Sequence, residues 1–276
     1  MTFGGGCAPP HAKQIQPEAH LASTSAKISR RLQVCADANE LSFFSALIYV
    51  APVSFFKRSE SQIERYRRLR AAAKQLITKM YDAAKGPQHD IIKAARKLTL
   101  PVQDRTLIFD GETDTTALAD FYLHEMRFGG KRIVDLLADS DPELTQDERD
   151  LLAAHRNSRC SLFAIISADA LACQIKLRDL LEPAVPEVAL TDINLSKCSA
   201  AKPGDLLFTR VLHCADVQMS GGLFFAFRAM DRVDLLNAYE ARMRTVSENE
   251  RSQRTYIFFY QKNRELGMAQ AYEDVA

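Results

Sequence analysis

Signatures of the common chemistries are missing from this chain. It has no C-x-x-C pair, no G-x-G-x-x-G behind a strand, no G-x-S-x-G, and no lysine followed by serine or threonine after a glycine-rich loop. Those gaps remove zinc knuckles, thioredoxin-like redox centres, the dinucleotide fingerprint, the nucleophile elbow and the P-loop. The six cysteines (Cys7, Cys35, Cys160, Cys173, Cys198, Cys214) are scattered, as expected of reduced thiols in a cytoplasmic protein. Charge of one sign is lacking too: 36 Lys and Arg stand against 35 Asp and Glu, a net charge of +1 with a pI near 7.6. Bulk attraction to nucleic acid or an anionic membrane is therefore excluded, and only a local patch can supply it. The apolar run LSFFSALIYVAPVSFF at 41–56 is shorter than the roughly 20 residues of a membrane span and contains Pro52, so a buried helix ended by proline is expected and no span. The first residues show no basic stretch before an apolar run, so no secretory signal is expected.

What is present is enough apolar material, 47% of 276 residues at a mean hydropathy of −0.19, to bury a core split between two lobes. Residues 1–24 carry Gly, Pro, Gln and Ala without periodicity and read as a flexible tail. An α-helical domain is expected over 25–158. Its clearest element spans 59–85, where Ile63, Tyr66, Leu69, Ala73, Leu76, Ile77, Met80 and Ala84 form one stripe closed by Gly86 and Pro87. Arg65, Arg68 and Lys79 fall on one side of that stripe and Arg67, Arg70 and Lys74 on the other, a split that favours a solvated face. A short helix over 89–97 follows, then TLIFD at 106–110 as a strand or extended linker. Asp114 or a nearby threonine is expected to cap the next helix, carrying Leu118, Phe121, Tyr122 and Glu125 until Gly129 and Gly130. Thr145 and Glu148 form a capping box that opens a helix with Leu151 and Leu152.

The period then changes from helix to strand. Over 159–229, SLFAIISAD, the alternating CQIKLRDLL, EVALTDINL, DLLFTRVLH and VQM…LFFAF predict five short strands and a small antiparallel barrel. The glycines of SGG at 220–222 precede a strand rather than a helix, so they mark a bulge or corner and not a phosphate cradle. Helices return over 230–276, with Val233, Leu235, Leu236 and Tyr239 on one helix, a second capping box at Ser247 and Glu250, and YIFFYQ as a buried end. The fold class is α+β: predominantly helical lobes with a small antiparallel β-barrel-like domain.

Catalytic constellations fail one by one. His124 and Glu125 begin H-E-x-x-H, but Phe128 stands where the second histidine belongs. Asp120 and His124 share a helix flank, yet two ligands are too few for a metal site. His213 and Cys214 are adjacent on a strand and so face opposite ways. No catalytic residue, metal ligand or cofactor is assigned.

The succession LTQDERDLLAAHRNSR, SLF, QIKLRDLL, PGDLLFTRVL and SGG, within 114–227, resembles the helical-plus-small-barrel module of uncharacterised bacterial proteins, some of which carry a C-terminal SEC-C zinc motif. That resemblance implies a bacterial cytoplasmic protein. The ending AQAYEDVA has no cysteine cluster, so the zinc site is not carried over.

By elimination, the expected function is a non-enzymatic binding or adaptor protein with a protein or peptide partner, acting through the β domain and adjoining helices. The alternative is nucleic-acid binding through a surface of Lys176, Arg178 and Arg210 with Arg65, Arg68 and Lys79 of the basic helix, which requires those charges to converge. A metal-dependent enzyme using Asp120 and His124 ranks third. Oligomeric state stays open.

Overall fold

Ser61 starts the first helix, α1 (Gln62–Ala83): its hydroxyl accepts the Glu64 amide at 3.2 Å, and the Glu64 carboxylate accepts the Ser61 amide at 2.9 Å. The computed structural model describes residues 60–86, 89–140, 142–198 and 202–268. The expected tail at 1–24, the helical pieces from 25 and the apolar run at 41–56 lie outside the described residues. Along α1, Tyr66, Leu69, Ala73, Leu76 and Met80 are buried, whereas Ile77, expected on the same stripe, stays 36% exposed.

Four helices precede the main sheet after α1: α2 (Ile91–Lys97), α3 (Glu112–His124), α4 (Ile133–Asp139) and α5 (Gln146–Asn157). Between α2 and α3, β1 (Val102–Gln103) and β2 (Thr106–Leu107) form a two-stranded hairpin. Helix α3 begins earlier than expected, with Gly111 at its N-cap. Asp114 is not the cap because it lies inside the first turn, where its carboxylate accepts the Asp110 amide and the Tyr260 hydroxyl. The helix also ends at His124, ahead of Gly129 and Gly130, which take positive φ in a tight turn bridged by Phe128 and Lys131. The Thr145–Glu148 capping box is present at the start of α5.

The sheet is antiparallel throughout, in the order β5-β4-β3-β6-β7, from β3 (Cys160–Asp169), β4 (Gln174–Asp179), β5 (Val188–Thr191), β6 (Leu206–Cys214) and β7 (Val217–Phe227). Alternation divides its side chains between two cores. Phe163, Ile165, Leu177, Leu207, Val211 and Phe224 pack inside the curl of the sheet. Leu162, Phe208, Leu212, Phe225 and Phe227 join the helices in the larger core. Both faces of β3, β6 and β7 are thus covered along much of their length, which is why these strands read as nearly continuous apolar runs. Beyond β7, α7 (Arg232–Met243) leaves Val233 exposed, and α8 (Glu248–Leu266) lays Tyr256, Phe259 and Tyr260 on the Phe208 and Phe225 rings. Ser247 is the N-cap of α8, but its hydroxyl makes no cap bond, so the second capping box expected there does not form.

The α+β class holds, but the expected barrel is not closed. β5 ends at Thr191 because Asp192 turns the chain into the short helix α6 (Ile193–Lys197), accepting the Leu195 amide at 3.0 Å. The edge strands β5 and β7 approach without a hydrogen-bonded ladder. Side chains bridge the seam instead: Arg70 of α1 donates to Asp192 and to the Ser220 hydroxyl, each at 2.8 Å, and Ser220 donates to Asp192 at 2.6 Å.

Gly221 and Gly222 mark a bulge. Thr209 pairs with Phe224 but Val211 pairs with Ser220, so β7 carries extra residues opposite Arg210. Gly222 takes φ +100, and a Cβ on Gly221 would stand 3.1 Å from the Cβ of Arg210 and 3.3 Å from its Cδ. Arg210 is held by partners described below and has little room to yield. Gly221→Ala is therefore expected to cost about 1–3 kcal/mol by overpacking. Urea denaturation of the full chain checks this, and an unchanged midpoint would mean that the Arg210 stem is free to shift.

Candidate functional site

On β6 the side chains of Leu206, Phe208, Arg210, Leu212 and Cys214 all point toward the helices, because residues two apart share a sheet face. Arg210 is the polar member of that row, and it is 0% exposed. Its Nε and Nη2 donate to the two carboxylate oxygens of Asp120 on α3, each at 3.0 Å. Nη2 also reaches Glu125 at 2.8 Å, and Nη1 lies 3.3 Å from the Ser158 hydroxyl and 3.4 Å from its carbonyl. The second oxygen of Glu125 accepts the Ser252 hydroxyl of α8 at 2.6 Å, and the Gln253 amide donates to the Glu125 carbonyl at 3.0 Å. One guanidinium therefore ties β6, α3, α8 and the residue that follows α5 into a single network.

The histidine expected beside Asp120 belongs to the same network. His124 Nδ1 lies 3.0 Å from the Asp120 carbonyl and 3.3 Å from its carboxylate, and Nε2 faces His155 Nδ1 of α5 at 2.9 Å, with the two rings stacked. Burial, reinforced by His124 and Arg210, holds the His155 imidazole well below its ordinary range. Burial alone would raise the Asp120 carboxyl, but Arg210 and His124 outweigh it and hold the group well below the usual carboxylate range. Cys160, whose Sγ is 3.9 Å from Asp120, is pushed well up by burial, which Arg210 only partly offsets. A thiol held protonated is a poor nucleophile, and carboxylates already engaged by arginine are poor general bases. Among the described residues, no group of three or more His, Cys, Asp or Glu side chains is arranged to hold a metal, and the two buried side-chain polar atoms without a partner, His89 Nδ1 and Thr191 Oγ1, lie outside this cluster.

The residues expected to form a basic surface are placed as follows. Arg178 and Arg210 do share a sheet face, through the pairings Arg178↔Ala164 and Cys160↔Arg210, but the helices cover that face at Arg210 and remove it from the surface. Lys176 and Arg178 both pair with Glu187, at 2.6 and 2.5 Å. Arg65 and Arg68 converge on Asp147, Arg65 also reaches Asp150 at 2.9 Å, and Lys79 pairs with Glu148 at 2.7 Å. The basic flank of α1 thus meets the acidic start of α5, where the helix dipole also favours the carboxylates. His213 and Cys214 face apart as expected, Cys214 being buried and its thiol raised to about 11 by burial.

Clefts open to solvent lie nearby. A cleft of about 350 Å³ reaches Cys160 and Ser252 at the edge of the buried network, between the paired Arg159 and Glu182 and the paired Arg251 and Glu248. A groove of about 530 Å³ lies between α4 and α5, with Ala138, Pro142, Leu144, Leu152 and Ala153 among its walls and the guanidiniums of Arg132, Arg149 and Arg156 around it. Arg132 forks onto Asp135 at 2.8 and 2.9 Å, and Arg156 stands more loosely, 3.4 Å from Asp135 and 3.8 Å from Asp139. Arg149 is exposed and has no acidic partner among the described residues. None of these three was singled out from the sequence. The signal was present in the Arg149, Leu152, Ala153, Arg156 spacing along one helix face, but its partner wall comes from α4.

The buried histidine gives the cluster a pH signature. Because the folded state keeps His155 neutral, the unfolded chain alone takes up that proton below about pH 6.5, and stability falls as pH drops through that range. Between pH 7.5 and 5.5, the wild type is expected to lose about 1.4 kcal/mol more unfolding free energy than His155→Gln. Urea melts across that range check it, and parallel profiles would mean that His155 is protonated in the fold. The Asp120 contribution has the opposite placement, being present above about pH 4 and lost below it.

No curated protein and no solved structure matches the chain. A family model does: residues 60–273, from just before α1 to beyond the end of α8, match the model described as a family of unknown function (DUF7986). The chain belongs to that family.

Proposed function

We propose that the chain is a non-enzymatic binding protein that engages a protein or peptide partner through the groove between α4 and α5, with the sheet as its support. The observation that carries this reading is the distribution of polar groups. The cluster of Asp120, Glu125, His124, His155 and Cys160 is enclosed and engaged around Arg210, whereas three arginines line an open groove with aliphatic walls. The likeness of 114–227 to the helical-plus-barrel module of bacterial proteins supports a bacterial, cytoplasmic setting. The nucleic-acid reading is weaker, because Lys176 and Arg178 share Glu187, Arg65, Arg68 and Lys79 are ion-paired with α5 carboxylates, and Arg210 is enclosed.

The test is affinity capture from a bacterial lysate with the tagged full-length chain, with and without nuclease, beside Arg149→Glu. The reading predicts a protein that survives nuclease with the wild type and is lost with the variant. A captured species that disappears with nuclease, or that the variant retains equally, would contradict it.

A further inference from the structure

We propose that the α4–α5 groove takes an acidic peptide segment in an extended conformation, with one carboxylate on Arg149, a second on Arg156, and the backbone between them over Leu152 and Ala153. This rests on the groove being the binding surface and adds the chemistry of its ligand. Arg149 and Arg156 are seven residues apart on α5. That is two helical turns, which brings them to the same face about 10.5 Å apart along the axis. Leu152 and Ala153 lie between them and line the same groove. In an extended polyproline-like chain, residues three apart also share a face, and they are separated by about 9.3 Å. Two acidic residues at i and i+3 therefore match the spacing of the two guanidiniums, and the backbone between them runs over the aliphatic strip.

The groove's own charges favour this ligand over a nucleic acid. Arg149 has no acidic partner among the described residues, and Arg156 is 47% exposed with contacts too long for strong hydrogen bonds, so both have donors to offer. Among the described residues, no aromatic side chain lines the groove to stack a base. Asp135 lines it and Asp139 stands beside Arg156, placing negative charge where a continuous phosphate chain would run. A peptide brings a single carboxylate to Arg156 and an uncharged backbone over Leu152 and Ala153, where a phosphate chain would bring charge at each residue.

Fluorescence anisotropy with the full-length chain tests the proposal, using a labelled peptide with a Glu-Pro-Leu-Glu core. Binding is expected to weaken about tenfold or more when both Glu are changed to Gln, and likewise with Arg149→Glu or Arg156→Glu, and to weaken as salt rises from about 0.05 to 0.5 M. Peptides with the two Glu adjacent, or six residues apart, are expected to bind no better than the Gln control. Equal binding of the Gln peptide, equal binding by both Arg variants, no measurable binding, or displacement by a short oligonucleotide more readily than by the acidic peptide would each overturn the proposal. Capture from lysate separates the two readings. If Arg149→Glu loses the captured protein while the acidic peptide fails to bind, the groove stands and its acidic ligand falls; if the variant captures as the wild type does, both fall.

Discussion

A guanidinium with no solvent exposure must find its compensation inside the protein, and Arg210 finds it in Asp120, Glu125 and Ser158. Taking these charges out of water carries a penalty of several kcal/mol per ion, recovered only when the geometry is close to ideal and the remaining donors and acceptors are satisfied. The requirement propagates outward. Asp120 and Glu125 fix the end of α3 over β6, Ser252 and Gln253 fix α8 through Glu125, and Gly221 gives up its side chain so that the Arg210 stem can pass the bulge of β7. Apolar packing brings the same elements together, with Phe208, Phe225, Tyr256 and Phe259 in mutual ring contact, but it sets no unique register. The ion network does, since a one-residue slip of β6 would leave both carboxylates buried without their arginine.

The same demand for partners engages most of the buried polar side chains around Arg210. His124, His155 and Cys160 lie around Asp120 and are spent on structure, and the basic flank of α1 is spent on docking the acidic start of α5. Arg70 closes the seam that the short β5 leaves open. Arg149 and Arg156 keep donors beside the open groove between α4 and α5, whereas Arg65, Arg68 and Lys79 of α1 are held by carboxylates.

Much of the scaffold was legible in the sequence because local rules decide it. The Thr145 and Glu148 box, the α1 stripe, the five strands and the SGG bulge follow from capping, periodicity and glycine placement. Where tertiary contacts decide, the reading failed. Arg178 and Arg210 share one face of the sheet, but strand alternation carries no information on which part of that face a helix covers. Asp114 has the chemistry of a cap and is recruited instead by Tyr260, 146 positions away. The barrel fails to close because Asp192 caps a helix where the strand pattern predicts continuation. The groove combines α4 with α5, so neither helix alone announces it.

The measurement that bears most directly on this account is a double-mutant cycle between Arg210 and Asp120, using Arg210→Met, Asp120→Leu and the pair, with stability read from urea unfolding of the full chain. If the buried ion network fixes the docking of sheet and helices, each single change should cost about 3–5 kcal/mol by stranding the other charge, and the pair should cost far less than the sum. Single costs below about 1 kcal/mol, or additive ones, would contradict it and leave apolar packing as the sole organiser of the fold.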